Sequence, residues 1–264
     1  MTEAVKFDWQ RYPAAEALIA GRLVAFVQAM PNVDRFSVAL LAHTSSRLFD
    51  WLDHLVLADG DVPRRRLQEL GFEPEEAPAD PGDTVLHHPG SIFPRILLRE
   101  NIGQEPGATV AAAIQVEEIS SFVMANHLPA SEVEGTALSP YRRTSVWQND
   151  GLEFLAVERR GHSGFVPTAM ALDYPERYLK AYEQWATRAR NFADEQSGME
   201  QTLRLARSLA SDMGADTAAW IAFSAERAHW QMRNRAGQVQ KANQDKLGLG
   251  WANHDHHTFR SSRH

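Results

Sequence analysis

Leu52-Asp53-His54-Leu55-Val56-Leu57 opens an apolar run, and Leu70-Gly71-Phe72 closes the short helical stretch that follows it. Two later segments complete the pattern: Ser91-Ile92-Phe93-Pro94-Arg95-Ile96-Leu97-Leu98, and Gly151-Leu152-Glu153-Phe154-Leu155-Ala156-Val157-Glu158-Arg159-Arg160. Each is a short apolar stretch bounded by turn residues, as strands are. A histidine early in the first and a glutamate inside the last can meet across a curled sheet and hold a metal. This is the feature of the chain that points to chemistry.

The rest of the sequence bounds that reading. With 264 residues the chain makes one large domain or two small ones, and it can bury a sizeable core. Its 44% hydrophobic and 23% charged residues are ordinary for a globular protein. A formal net charge of −7 argues against nucleic acid as a partner. There is no cysteine, which excludes disulfides, thiolate metal sites and a cysteine nucleophile and agrees with a reducing cytosol. Any metal must use His, Asp or Glu. Met1 to Asp8 lacks the basic-then-apolar plan of a signal peptide. No apolar run reaches the roughly 20 residues that span a bilayer, so no membrane association and a cytoplasmic location are expected.

Along the chain, Pro13 to Met30 reads as a helix stopped by Pro31-Asn32, and Asp34 reads as the N-cap of a second. Val62 to Leu70 is a short helix with Pro63 in its first turn and Gly71 after its end. Glu73 to Gly82 is acidic and proline-rich, an exposed loop. Thr84–Leu86 and Ile92–Leu98 read as strands, and Thr109–Val116 as strand or helix. Ser120 to Asn126 is a helix. Val146 to Val157 is a strand pair turning at Asn149-Asp150-Gly151. After Pro175 the pattern is helical throughout: Tyr174–Glu195, Met199–Met213 and Asp216 to about Lys241. Trp220, Phe223 and Trp230 are expected in the core between these helices. The domains expected are 1–170, α+β and metal-binding in type, a helical region over 174–250, and a His-rich tail over 251–264.

Asp53-His54-Leu55-Val56-Leu57 with Leu70-Gly71-Phe72 resembles the opening of a βαβββ module of the vicinal oxygen chelate superfamily. Within it, Phe93-Pro94-Arg95-Ile96-Leu97-Leu98, Val116-Glu117-Glu118-Ile119-Ser120 and Leu152-Glu153-Phe154 resemble segments of the 2-oxoadipate dioxygenase/decarboxylase (hydroxyglutarate synthase) family. The resemblance covers roughly residues 48 to 165. It implies an α+β fold with a vicinal-oxygen-chelate-like βαβββ sheet, flanked by N-terminal helices and followed by an all-helical C-terminal part. It also implies a metal held by two His and one Glu: His54, Glu153, and His127 as the histidine that follows an asparagine. His256, in Asp255-His256-His257-Thr258-Phe259-Arg260, resembles the start of a further module and is a fourth candidate ligand. Fe(II) is the implied ion, with Mn(II) and Zn(II) as alternatives. No residue matches the family's substrate-binding arginine.

The expected activity is then that of an oxidoreductase, a non-haem Fe(II) dioxygenase acting on a small 2-oxo acid. Two imidazoles and one carboxylate leave coordination positions for the oxo acid and dioxygen. The alternative is a non-catalytic or truncated relative that binds a partner or forms a homodimer through its helical region. In that case His54 is a polar residue at an element end, Glu153 points to solvent, and the tail histidines 254, 256, 257 and 264 have no metal role. Glu158 is expected to pair on the surface with Arg143, Arg159 or Arg160. There is no Gly-rich phosphate loop and no serine elbow in the sequence.

Overall fold

A computed structural model describes residues 10–100, 103–129 and 132–251. Seven strands among the described residues form one mixed, open sheet in the order β2-β3-β4-β1-β5-β7-β6. They are β1 (Leu52–Ala58), β2 (Glu73–Pro74), β3 (Asp83–His87), β4 (Arg95–Arg99), β5 (Thr109–Gln115), β6 (Tyr141–Asn149) and β7 (Leu152–Arg159). With α3 (Asp61–Glu69) after β1 and α4 (Ile119–Ala125) after β5, the sheet divides into two units of the same plan. β1 runs parallel to β4, which is antiparallel to β3, which is antiparallel to β2. β5 runs parallel to β7, which is antiparallel to β6. An isolated bridge from Glu134 to Arg143 stands where a further strand would lie beside β6. The units meet where β1 and β5 pair antiparallel at the centre. This is the α+β, βαβββ architecture expected from the Asp53–Phe72 stretch.

One face of the sheet is covered by helices. α1 (Pro13–Ala29) and α2 (Pro31–Thr44) bury Ile19, Leu23, Phe26, Phe36 and Leu40 against Leu55, Leu57, Ile96, Ala112 and Phe154. Pro31 does not merely stop the first helix. It starts α2, where its missing N–H costs nothing. Among the described residues no single helix is long and apolar enough to cross a membrane. Thr109–Gln115 is a strand, with Ala111, Ala112 and Ala113 at its centre. The β6–β7 turn is as expected: Asp150 and Gly151 both have positive φ, 48° and 78°, the signature of a two-residue hairpin loop.

The helical part departs from the expected boundaries. The first helix, α5 (Tyr174–Ala186), stops short of Glu195, and α6 (Glu195–Met213) begins where Asp194 accepts a hydrogen bond from the Ser197 N–H. The third expected helix is two, α7 (Ala215–Gln231) and α8 (Arg235–Asp245), because Asn234 caps a new start. Of the aromatic stripe only Trp220 packs, half-buried, against the core between these helices. Phe223 and Trp230 are 40% and 59% exposed, and Ala218, Ile221 and Ala225 make the buried face of α7 against Tyr178, Trp185 and Leu209. α8 returns to α2. The chain then runs back under α4: the Glu117 N–H donates to the Leu249 carbonyl, and Asn126 Nδ2 donates to the Leu247 carbonyl.

Candidate functional site

The second face of the sheet carries the candidate chemistry, and a β-bulge decides what reaches it. Leu52 pairs with Ile114 and His54 with Ala113, so Asp53 is the extra residue. The bulge leaves Leu52 toward the helices and turns His54 to the other face. His54 shares its row with Arg95 on β4, Ala113 on β5 and Leu155 on β7. None of these neighbours is a metal donor.

The partners His54 does have form a buried ion group. Its Nδ1 lies 2.7 Å from Asp53 Oδ1. Arg159, at the end of β7, donates from Nε to Asp53 Oδ2 and from Nη2 to Oδ1, both at 2.8 Å. Arg159 Nη1 donates at 2.6 Å to the carbonyls of His162 and Gly164. Its guanidinium carbon lies 4.9 Å from the Tyr141 ring centre and 4.8 Å from that of Phe165, a cation–π sandwich. Phe165 also meets the His54 ring edge-on at 5.0 Å. The alanines of β5 leave room for this: Ala111 and Ala113 lie in one buried cluster with Phe165. Burial alone would push the Asp53 carboxyl up. The Arg159 charge and hydrogen bonds, with those of His54, outweigh it and hold the group well below the usual carboxylate range.

Further out on the same face, ion pairs take the place of a large apolar core. Arg95 binds Glu75 through Nε and Nη2 at 2.8 and 3.2 Å. Arg99 binds Asp83 at 2.8 and 2.7 Å. Arg143 binds Asp80 at 2.7 and 3.0 Å and Glu134 at 2.9 Å. Beside them lies an open cleft of about 460 Å³, lined by Asp80, Arg99, Glu132, Glu134, Arg143, Ser145, Gln148, Glu153 and Leu155. Glu153 is half-buried there and accepts a 3.3 Å hydrogen bond from Gln148 Nε2.

The expected ligands are therefore not brought together. His54 is in the ion group, while Glu153 is in the cleft, two strands away and one row along, paired with Ala111. His127 is exposed just past the end of α4, on the helix-covered side, with a left-handed φ of 52°. Asn126 before it ties α4 to Leu247. His256 lies outside the described residues. Among the described residues no three His, Asp or Glu side chains are grouped so as to hold a metal ion. The surroundings of His54 do not fit a metal: Asp53 is fully engaged by Arg159, and the guanidinium would repel a second cation. Glu158 is buried rather than on the surface. It accepts from Arg142 Nη1, Arg160 Nη2 and the Ile119 N–H at the start of α4.

Neither the pairing of Asp53 with Arg159 nor the place of Tyr141 and Phe165 beside it is legible in the sequence. The bulge that joins Asp53 to His54 has no local signature, and Arg159 is more than 100 residues away. No protein-family model matches the chain, and no curated protein matches it. Solved structures similar in part include a putative hydrolase from Shewanella frigidimarina NCIMB 400, 11% identical over 58% of this chain and 98% of that one, with a TM-score of 0.46. Glyoxalase I from Zea mays is 13% identical over 44% of each chain, with a TM-score of 0.29. A glyoxalase/bleomycin resistance protein/dioxygenase superfamily member from Vibrio splendidus 12B01 is 18% identical over 39% of this chain and 94% of that one, with a TM-score of 0.28.

Proposed function

We propose that the chain is a metal-independent binding protein that holds a small amine-bearing molecule in the cleft over β6 and β7. One observation carries this reading. The cleft is lined by four carboxylates, Asp80, Glu132, Glu134 and Glu153, against two guanidiniums, Arg99 and Arg143. Both arginines are already engaged by Asp80, Asp83 and Glu134, whereas the Glu153 carboxylate accepts a long, 3.3 Å hydrogen bond from Gln148. The side chain left to meet a ligand is an acid, and an ammonium group is its natural partner. The Fe(II) dioxygenase reading needs His54, Glu153 and a second imidazole at one point, and the donor arrangement around His54 does not support it.

The test is a thermal-shift screen of small mono- and diamines beside 2-oxo acids with Fe(II). A ligand present at 100 times its Kd adds about 2.7 kcal/mol, roughly 5–10 °C in Tm for a chain of this size. Amines are expected to give that shift, and Glu153→Gln to remove it while leaving the unliganded Tm in place. Dioxygen consumption with a 2-oxo acid and Fe(II), lost in His54→Ala, would overturn the reading in favour of an oxygenase.

A further inference from the structure

We propose that Arg159 is the resident cation of the Asp53–His54 centre, and that the pair is a latent cation site which opens when this side chain is shortened. The geometry is that of a bound ligand rather than of a surface ion pair. The Asp53 and His54 side chains are 5% and 3% exposed, and Arg159 is 17% exposed. Two parallel N–H donors meet the two carboxylate oxygens at 2.8 Å, the fork geometry that fixes a guanidinium against a carboxylate. The remaining donor nitrogen is satisfied by two backbone carbonyls, and the Tyr141 and Phe165 rings lie 4.9 and 4.8 Å from the guanidinium carbon. A carboxylate, two carbonyls and two π faces thus surround one positive charge.

Two further atoms mark the place as a cation pocket in a polar shell. The Tyr141 hydroxyl and His162 Nε2 are buried without a hydrogen-bond partner, and Tyr141 is completely buried. The Tyr141 ring stacks on the guanidinium itself, and His162 lies 6.2 Å from Tyr141 between ring centres. Removing the arginine side chain would leave a carboxylate, an imidazole, two carbonyls and these groups around a cavity of guanidinium size. The inference does not depend on what the neighbouring cleft binds.

The experiment compares the native chain, Arg159→Ala and the double variant Asp53→Asn/Arg159→Ala. The native chain is expected to carry no stoichiometric metal by mass spectrometry and to keep its Tm in EDTA. Arg159→Ala leaves a buried carboxylate unpaired and should fall by roughly 10 °C in Tm. Low-millimolar guanidinium chloride should restore several degrees where sodium chloride at equal ionic strength restores none. The double variant should show no such recovery. Equal recovery by sodium, or recovery that persists in the double variant, overturns the proposal. If Arg159→Ala does not fold, the native chain and Arg159→Lys still decide. Both are expected metal-free, and stoichiometric metal in either, lost on His54→Ala, overturns it.

Discussion

Replacing Glu158 with alanine should be among the most damaging single changes in the sheet. The carboxylate is 2% exposed and bridges three elements. Arg142 Nη1 on β6 reaches its two oxygens at 3.0 and 3.1 Å, Arg160 Nη2 lies at 2.5 Å, and the Ile119 N–H that opens α4 donates at 2.7 Å. Removing one partner of a buried ion pair costs about 3–5 kcal/mol, because the charge left behind has no compensation. Here the two guanidiniums are partly exposed, 21% and 15%, so water recovers some of that cost and the lower end applies. The orphaned Ile119 N–H adds to it. A loss of about 3 kcal/mol corresponds to a fall of roughly 6–12 °C in Tm for a domain of this size. Glu158→Gln keeps an acceptor for Ile119 but not the charge, and should lose about half as much. Urea unfolding followed by circular dichroism measures both, with the m-value checking that the unfolded state is unchanged. A loss below about 1 kcal/mol for Glu158→Ala would refute the reasoning and return this residue to the solvated surface.

The other expectations follow from single observations. The depressed folded-state pKa of Asp53 means its stabilisation is present above the unfolded carboxylate value, near about 4, and is lost as pH falls below it toward the folded value. Asp53→Asn should therefore flatten the acid limb of a Tm-against-pH profile below about pH 4, besides lowering Tm at neutrality; a parallel limb in the variant would contradict the pairing with Arg159. Gly248 has φ +71° and a Cβ there would sit 2.4 Å from Phe122 Cα. Gly248→Ala should cost upwards of about 2 kcal/mol and loosen the C-terminal segment, read as faster hydrogen exchange at Leu249 and Trp251. His127→Ala, at an exposed position past α4, should change stability by no more than about 0.5 kcal/mol, and a metal-dependent Tm lost in this variant would contradict its placement.

What was legible in the sequence depended on whether the deciding interaction is local. The β1–α3 opening, the β6–β7 hairpin and the short β3 and β4 strands declare themselves through turn residues within a few positions, Asp150-Gly151 most directly. The three-helix reading of the C-terminal part failed where a cap side chain outweighed a continuous helical pattern, at Asp194 and at Asn234. The aromatic stripe of α7 misled for a different reason. Periodicity finds an apolar face, but it cannot say that the neighbouring helices approach closely enough to select Ala218 and Ala225 over Trp230. The candidate site failed at long range. His54 and Glu153 do face the same side of the sheet, but which row each occupies is set by the bulge at Asp53 and by pairing through β5.

The central strands explain why that side of the sheet favours a guanidinium over a metal. Two βαβββ units that meet along β1 and β5 place the first strand of each unit beside the other, so a shared metal would draw donors from both. β1 offers His54, while β5 offers alanine directly opposite at position 113. Small side chains on a central strand leave a hollow, and a hollow next to a buried carboxylate has to be filled by something cationic. Arg159 reaches it from the end of β7, and Phe165 closes over both. Once the hollow is filled in this way, restoring a metal site requires more than adding a ligand. Ala113→His alone would set a second imidazole against a guanidinium, and should bind no divalent ion. Ala113→His combined with Arg159→Ala frees Asp53 and His54 as donors beside it and should bind zinc with a Tm rise. Zinc binding by the single variant would show that Arg159 does not hold the place of the ion.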